Sequence, residues 1–158
     1  MLHIRPGTII DAALLLEMIR ELADYEHARD LVVATAKDLQ RDGFSADPKF
    51  RALIAEWHEE PAGYALFFGH YSTWIGRSGI FLEDLFVRPQ FRGKGIGKAL
   101  LAEVARIAKR ENCYGVRWEV LDWNQPAIEF YKGLGATFPG EWKSVLLIGD
   151  ALDRLGGE

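Results

Sequence analysis

The segment from Ile80 to Lys98 constrains the fold more than any other. An apolar stretch, Ile80-Phe81-Leu82-Glu83-Asp84-Leu85-Phe86-Val87, leads into Arg92-Gly93-Lys94-Gly95-Ile96-Gly97-Lys98 and then into a helical stripe. Branched and aromatic side chains predict a strand in the first part. In the last part Ile96, Leu100, Val104, Ile107 and Ala108 recur at helical spacing, with Glu103, Arg106, Lys109 and Arg110 on the other face. Glycines at alternate positions let the backbone turn tightly and bring bare amide N–H groups close to a ligand, and the helix N-terminus adds partial positive charge. Arg92, Lys94 and Lys98 add full charges, so the turn suits a ligand with several phosphate negatives. Glycine turns also serve as plain strand-to-helix connections, and both readings stand on the turn alone.

Two nucleotide motifs fail here. A P-loop ends in Gly-Lys-Ser/Thr, whereas Gly97-Lys98 is followed by Ala99, which has no hydroxyl to hold magnesium. A dinucleotide fingerprint needs its third glycine where Lys98 stands, and it opens a longer series of alternating strands and helices.

The rest of the chain supplies the partners of this strand and helix. His3 to Arg5 reads as a first strand closed by Pro6-Gly7, and Thr8-Ile9-Ile10-Asp11 has capping-box spacing. Leu15, Met18, Ile19 and Leu22 then form one helical face, with Glu17, Arg20 and Glu21 opposite, to an end near Tyr25-Glu26. Thr35-Ala36-Lys37-Asp38 caps a second helix that Gly43 stops. Phe50 to Trp57, Gly63 to Tyr71 and Gly79 to Val87 read as an antiparallel meander. Val116 to Leu121 is a further strand, Asn124-Gln125-Pro126 opens a helix that ends at Gly133 or Gly135, and Val145 to Ile148 is a last strand. The order βααβββαβαβ, with no repeat or linker, predicts one domain over residues 1–158 of the α/β (α+β) class, a mixed and mostly antiparallel sheet flanked by helices.

Composition narrows the function classes. A formal charge of -4 and a pI near 5.6 argue against a broad nucleic-acid surface and suit a cationic small molecule. The apolar runs are too short to span a bilayer and the N-terminus has no long apolar signal core, so no membrane partner and a cytoplasmic location are expected. Cys113 stands alone and allows no internal disulfide. His3, His27, His58 and His70 lack metal-ligand spacing, so no metal is expected.

Glu83 and Asp84 sit side by side in an apolar strand, where pleating points them to opposite faces unless a bulge intervenes. At least one carboxylate must make a structural hydrogen bond or line a cavity. Phe130-Tyr131 has the composition of a core pair.

A resemblance decides between these readings. Leu82-Glu83-Asp84-Leu85-Phe86-Val87, the turn Arg92 to Gly97, and Asn124-Gln125-Pro126-Ala127-Ile128-Glu129-Phe130-Tyr131-Lys132 with Leu134-Gly135-Ala136 resemble the GNAT acetyltransferases. Glu21 to Glu26, Lys37-Asp38-Leu39, Asp42-Gly43-Phe44 and Trp74-Ile75-Gly76 are similar to the diamine (spermidine/spermine) and thialysine acetyltransferases within that superfamily. The likeness runs from about Ile4 to Trp142 and implies transfer of an acetyl group from acetyl-coenzyme A to a small amine, a polyamine, diamine or lysine-like molecule.

By the same resemblance, Glu83 is the base and Tyr131 the acid that protonates the coenzyme A sulfur. Leu85, Phe86 and Val87 hold the pantetheine arm through their backbone, and Arg92, Gly93, Lys94, Gly95, Ile96, Gly97 and Lys98 hold the phosphates. Asn124, Pro126 and Ala127 touch the cofactor, with Asn124 also a helix cap, and Tyr25, Glu26, Trp74, Glu83, Asp84, Glu119 and Glu141 line the amine groove. A homodimer is implied too. Arg117 and the short Thr137 to Trp142 segment depart from the polyamine enzymes and leave open an amino acid, a drug-like amine or a protein N-terminus as acceptor. A silent coenzyme A binding module would keep Arg92 to Lys98 and need neither Glu83 nor Tyr131.

Overall fold

The computed structural model describes residues 1–157, which fall into two compact units that meet in sequence at Glu119 and Val120. In the first unit, strand β1 (Leu2–Pro6) leads through a single 3-10 turn at Ile9–Asp11 into α1 (Ala12–Tyr25). The capping box forms as expected: the Thr8 backbone N–H donates to Asp11 Oδ2 at 2.7 Å. Arg5 closes its guanidinium fork on the same carboxylate at 2.8 and 3.0 Å and donates to Glu56 at 2.8 Å, which ties β1 to the start of α1. The Arg5 guanidinium holds the Asp11 carboxyl down to about 2. The second capping box, Thr35 with Asp38, opens α2 (Ala36–Gly43).

Strands β2 (Arg51–Trp57), β3 (Glu60–Ser72) and β4 (Arg77–Val87) form the expected antiparallel meander. Helix α3 (Ile96–Arg110) crosses over to β5 (Val116–Trp118), which pairs parallel with β4, and the sheet order is β1-β2-β3-β4-β5. Both faces are covered, which is why these strands read as continuous apolar runs rather than alternating ones. Ala12, Leu15, Met18 and Leu39 from α1 and α2 pack with Ile54, Tyr64 and Phe86 on one face. On the other, Ile96, Leu100, Val104 and Ala108 of α3 pack with Leu53, Ala65, Phe67, Ile80 and Leu82. Each fully buried Leu, Ile or Phe contributes about 1.5–3 kcal/mol, so the two layers together hold β4 from both sides.

A bulge interrupts β4 at the position the chemistry needs. Phe67 lies opposite Leu82 and Leu66 opposite Asp84, so Glu83 is the extra residue without a partner in β3. The pleat changes parity there. Ile80 and Leu82 face α3, whereas Phe86 joins the α1 and α2 side and Leu85 and Val87 pack toward α3.

The second unit holds α4 (Gln125–Gly133) and α5 (Gly149–Gly156). Two expectations are corrected. The strand foreseen over Val116 to Leu121 ends at Trp118, and the strand foreseen over Val145 to Ile148 does not form. Val145 and Leu146 are 90% and 78% exposed, and among the described residues no strand pairs with that run. An apolar run becomes a strand only where a ladder partner accepts it. Helix α5 was not foreseen, although Leu152 and Leu155 three apart among Asp150, Asp153 and Arg154 carry its period. The mixed α/β class stands. No helix among the described residues is long and apolar enough to cross a membrane.

Candidate active site

The site begins where β4 and β5 part. Beyond Leu82 and Trp118 the parallel ladder stops, yet β4 continues to Val87. On its inner side, Leu85, Phe86 and Val87 pair with Ala65, Tyr64 and Gly63 of β3. Among the described residues no strand pairs with them on the β5 side, which leaves an edge that can accept an extended chain of amides.

The turn after β4 extends that edge into an anion cradle. Gly93 and Gly95 adopt φ of 78° and 77°, a left-handed backbone that glycine takes without strain, and Gly95 is the N-cap of α3. Gly97 has no such conformation, and a Cβ there would make ordinary contact, 3.7 Å, with Val87. Ala99 N–H is bonded to the Gly95 carbonyl, so the amides of Ile96, Gly97 and Lys98 form the first turn, whose N–H groups have no helical acceptor. Arg92, Lys94 and Lys98 are exposed and make no ion pair among the described residues. Arg92 Nε donates to the Val87 carbonyl at 3.0 Å, its guanidinium lies 5.0 Å from the Tyr25 ring, and Lys94 Nζ lies 5.3 Å from the Trp57 ring. This donor set, a strand edge that no strand among the described residues covers, followed by bare amides and cations, fits the amide arm and phosphates of coenzyme A.

Arg88 fixes the cradle to α1, a role sequence reasoning missed. It donates to Glu21 at 2.8 and 3.0 Å, to Glu17 at 2.7 Å and to the Pro61 carbonyl at 3.0 Å. Glu17 and Glu21, taken from periodicity as the outer side of α1, therefore anchor the end of β4. An arginine at a strand end with two glutamates four apart on a helix was the available signal.

On the α1 side of the sheet an open cleft of about 200 Å³ is lined by Ile19, Leu22, Ala23, Glu26, Ala28, Leu31, Val32 and Asp84. Among the described residues its only ionisable walls are the carboxylates of Glu26 and Asp84. Burial pushes the Asp84 carboxyl up to about 6, helped by the charges of Glu83 and Glu26 and opposed by a hydrogen bond from the Tyr64 hydroxyl at 2.9 Å. Burial also raises Glu26. The cleft thus offers negative charge in apolar walls, suited to an ammonium on an aliphatic stem.

The structure brings Tyr25 beside Arg92 and Glu26 beside Asp84, with Glu83 exposed at the bulge next to Asp84 in sequence. Trp74 does not join them within one chain. It lies on the turn from β3 to β4, 90% exposed, and the rise along β4 puts it on the order of 20 Å from Asp84. Glu119 is exposed just beyond the end of β5. Asn124, Pro126, Ala127, Tyr131 and Glu141 belong to the second unit. There Asn124 is the buried N-cap of α4, and Pro126 and Ala127 form the first turn. Tyr131 is buried on α4 with its ring 5.5 Å from Phe130, and Glu141 is exposed outside any helix or strand. Among the described residues no group of His, Cys, Asp and Glu is arranged to hold a metal ion.

A strand-edge and glycine-turn cradle beside an acidic cleft has the parts an acyl transfer to an amine needs, and comparison with known proteins gives the family. The model for the acetyltransferase (GNAT) family matches residues 15–136, and the chain belongs to that family. Among curated proteins it is 41% identical to a thialysine N-epsilon-acetyltransferase of Sus scrofa, over 94% of this chain and 93% of that one. It is 36% identical to the Caenorhabditis elegans protein of the same name, over 91% and 90% of the two chains. Among solved structures, an integron cassette protein from the mobile metagenome of V. cholerae matches with a TM-score of 0.83 and 27% identity, covering 99% of this chain and 98% of that one. The chain is a GNAT N-acetyltransferase, and membership implies acetyl-coenzyme A as acetyl donor.

Proposed function

We propose that the enzyme acetylates the primary amine of a lysine-like, diamine or polyamine molecule, by direct attack of the amine on the thioester. One observation carries this reading: the cleft walled by Glu26 and Asp84 lies on β4 beside the edge of Leu85 to Val87, which no strand among the described residues covers. Acetyl-coenzyme A supplies the activated acetyl group. The backbone of Leu85 to Val87 would hold its amide arm, and the turn from Arg92 to Lys98 its phosphates, with Asn124, Pro126 and Ala127 as further contacts. Asp84 and Glu26 bind the distal ammonium and orient the chain. Glu83, unpaired at the bulge, accepts the proton of the reacting ammonium, and Tyr131 donates one to the departing sulfur. Glu119 and Glu141 are the outer acidic contacts. The matched family segment, residues 15–136, runs across the division at Glu119, which supports treating the chain as one catalytic domain.

Coenzyme A thiol release over a panel of thialysine, lysine, diamines, polyamines and uncharged-tail monoamines tests this. Turnover should be highest with acceptors carrying a second ammonium and lower with the monoamines. No turnover with any small amine, despite acetyl-coenzyme A binding, would overturn it.

A homodimer belongs to the same reading. Trp74, remote from Asp84 within the chain and 90% exposed, and the exposed run Val145 to Ile148 are surfaces that a second copy would cover. Sedimentation of the intact chain should give twice the monomer mass, and a monomer at micromolar concentration would remove Trp74 from the groove. A cytoplasmic location fits the single unpaired Cys113.

A further inference from the structure

Asp84 is a carboxylate taken largely out of water, and one buried side chain hydrogen-bonds it directly. Tyr64 lies on β3, fully buried, opposite Phe86 in the ladder and two residues from the Leu66 that pairs with Asp84. The Glu83 bulge turns Asp84 to the face where Tyr64 and Phe86 pack, and the Tyr64 hydroxyl donates to Asp84 Oδ2 at 2.9 Å. From this geometry we infer that Tyr64 is a positioning residue for the amine: its hydroxyl holds the Asp84 carboxylate toward the cleft, in the charged form that an ammonium needs. The inference rests on the proposed role of Asp84 in binding the ammonium.

The charged groups around Asp84 leave this task to Tyr64. Glu26 from the end of α1 and Glu83 on β4 are negative and disfavour a second charge, and no cation among the described residues lines the cleft. The hydroxyl itself does not ionise in the working range, because burial and the Asp84 charge hold Tyr64 well above its ordinary value. It is a permanent donor. Losing it removes a bond to the charged form of Asp84, so the carboxyl must titrate at higher pH. Since the amine needs the carboxylate, the acid limb of amine binding moves the same way.

The test is the pH profile of kcat/KM for the best amine, at saturating acetyl-coenzyme A, in wild type, Tyr64→Phe, Asp84→Asn and the double variant. Wild type should lose activity as pH falls through about 6, the value to which burial raises Asp84. Tyr64→Phe should raise that limb by about one pH unit, the scale of a hydrogen bond to a charged group, with kcat at high pH nearly unchanged and amine KM increased. Asp84→Asn should abolish the limb, and the double variant should match it.

A Tyr64→Phe limb that coincides with wild type overturns the inference, since a purely structural tyrosine would lower stability without moving the profile. If Tyr64→Phe does not fold, the double variant decides, and a pH profile or KM different from Asp84→Asn alone overturns it. Wild-type KM and an unchanged limb in Asp84→Asn would instead refute the amine-binding role on which the inference rests.

Discussion

Glu83→Gln is expected to lower kcat by about 10²- to 10⁴-fold at neutral pH, the usual contribution of a positioned base, while acetyl-coenzyme A affinity changes less than about twofold. The argument starts from the acceptor. An alkylamine with a pKa near 10.4 is about one part in a thousand neutral at pH 7.4, and only the neutral form attacks. Glu83 is exposed at the point where β4 drops its partner in β3, so its carboxylate reaches solvent without breaking the ladder. Gln keeps the shape and cannot take the proton. Solvent must then do so, and activity of the variant should climb about tenfold per pH unit toward the pKa of the amine. Tyr131→Phe should cost less, because a thiol with a pKa near 8.5 is already a fair leaving group. Thiol-release kinetics from pH 6.5 to 9.5 check both. A Glu83→Gln enzyme within threefold of wild type at pH 7 would remove Glu83 as the base.

What the sequence could say about this site follows from the range of the forces involved. Helices α1 to α4 and the strands of the meander were legible because each is specified by local periodicity, capping boxes and turns, as with Thr8-Asp11 and Thr35-Asp38. The Glu83-Asp84 pair stood out because charge inside an apolar strand is expensive. The bulge that separates the two was not legible. It depends on the register between Leu66 and Phe67 on one strand and Leu82 to Asp84 on another, and composition does not encode register. Tyr64 was hidden for the same reason, since its partner is twenty residues away on the neighbouring strand. The early end of β5 and the unpaired run Val145 to Ile148 are the converse: local composition favours a strand where the ladder provides no neighbour.

Gly63→Ala should be the most damaging single-methyl change in the sheet. Gly63 lies opposite Val87, and a Cβ there would run into the Phe86 carbonyl oxygen, with Val87 Cα at 3.1 Å. These are backbone atoms in a central ladder and cannot swing aside as a side-chain end would. β3 is held on its other edge by the pairing of Gly63 with Ala55, and the end of β4 is held by the Arg88 N–H on the Ala62 carbonyl at 2.8 Å and by the Arg88 side chain on Pro61. Relief requires β4 to move away from β3 at Phe86 and Val87, the residues whose outer edge is proposed to hold the amide arm. Overpacking of this kind costs about 1–3 kcal/mol, or roughly 3–10 °C in Tm for a chain of this size. The KM for acetyl-coenzyme A should rise several-fold, more than that for the amine. Gly69→Ala on the same strand supplies the control, because nothing lies within 4 Å of a Cβ there and the position is exposed. Its Tm should stay level or rise, as removing a glycine from a strand reduces the freedom of the unfolded chain. Equal melting temperatures for the two variants, with unchanged KM for acetyl-coenzyme A, would mean that β4 can shift at this point without disturbing the cofactor edge.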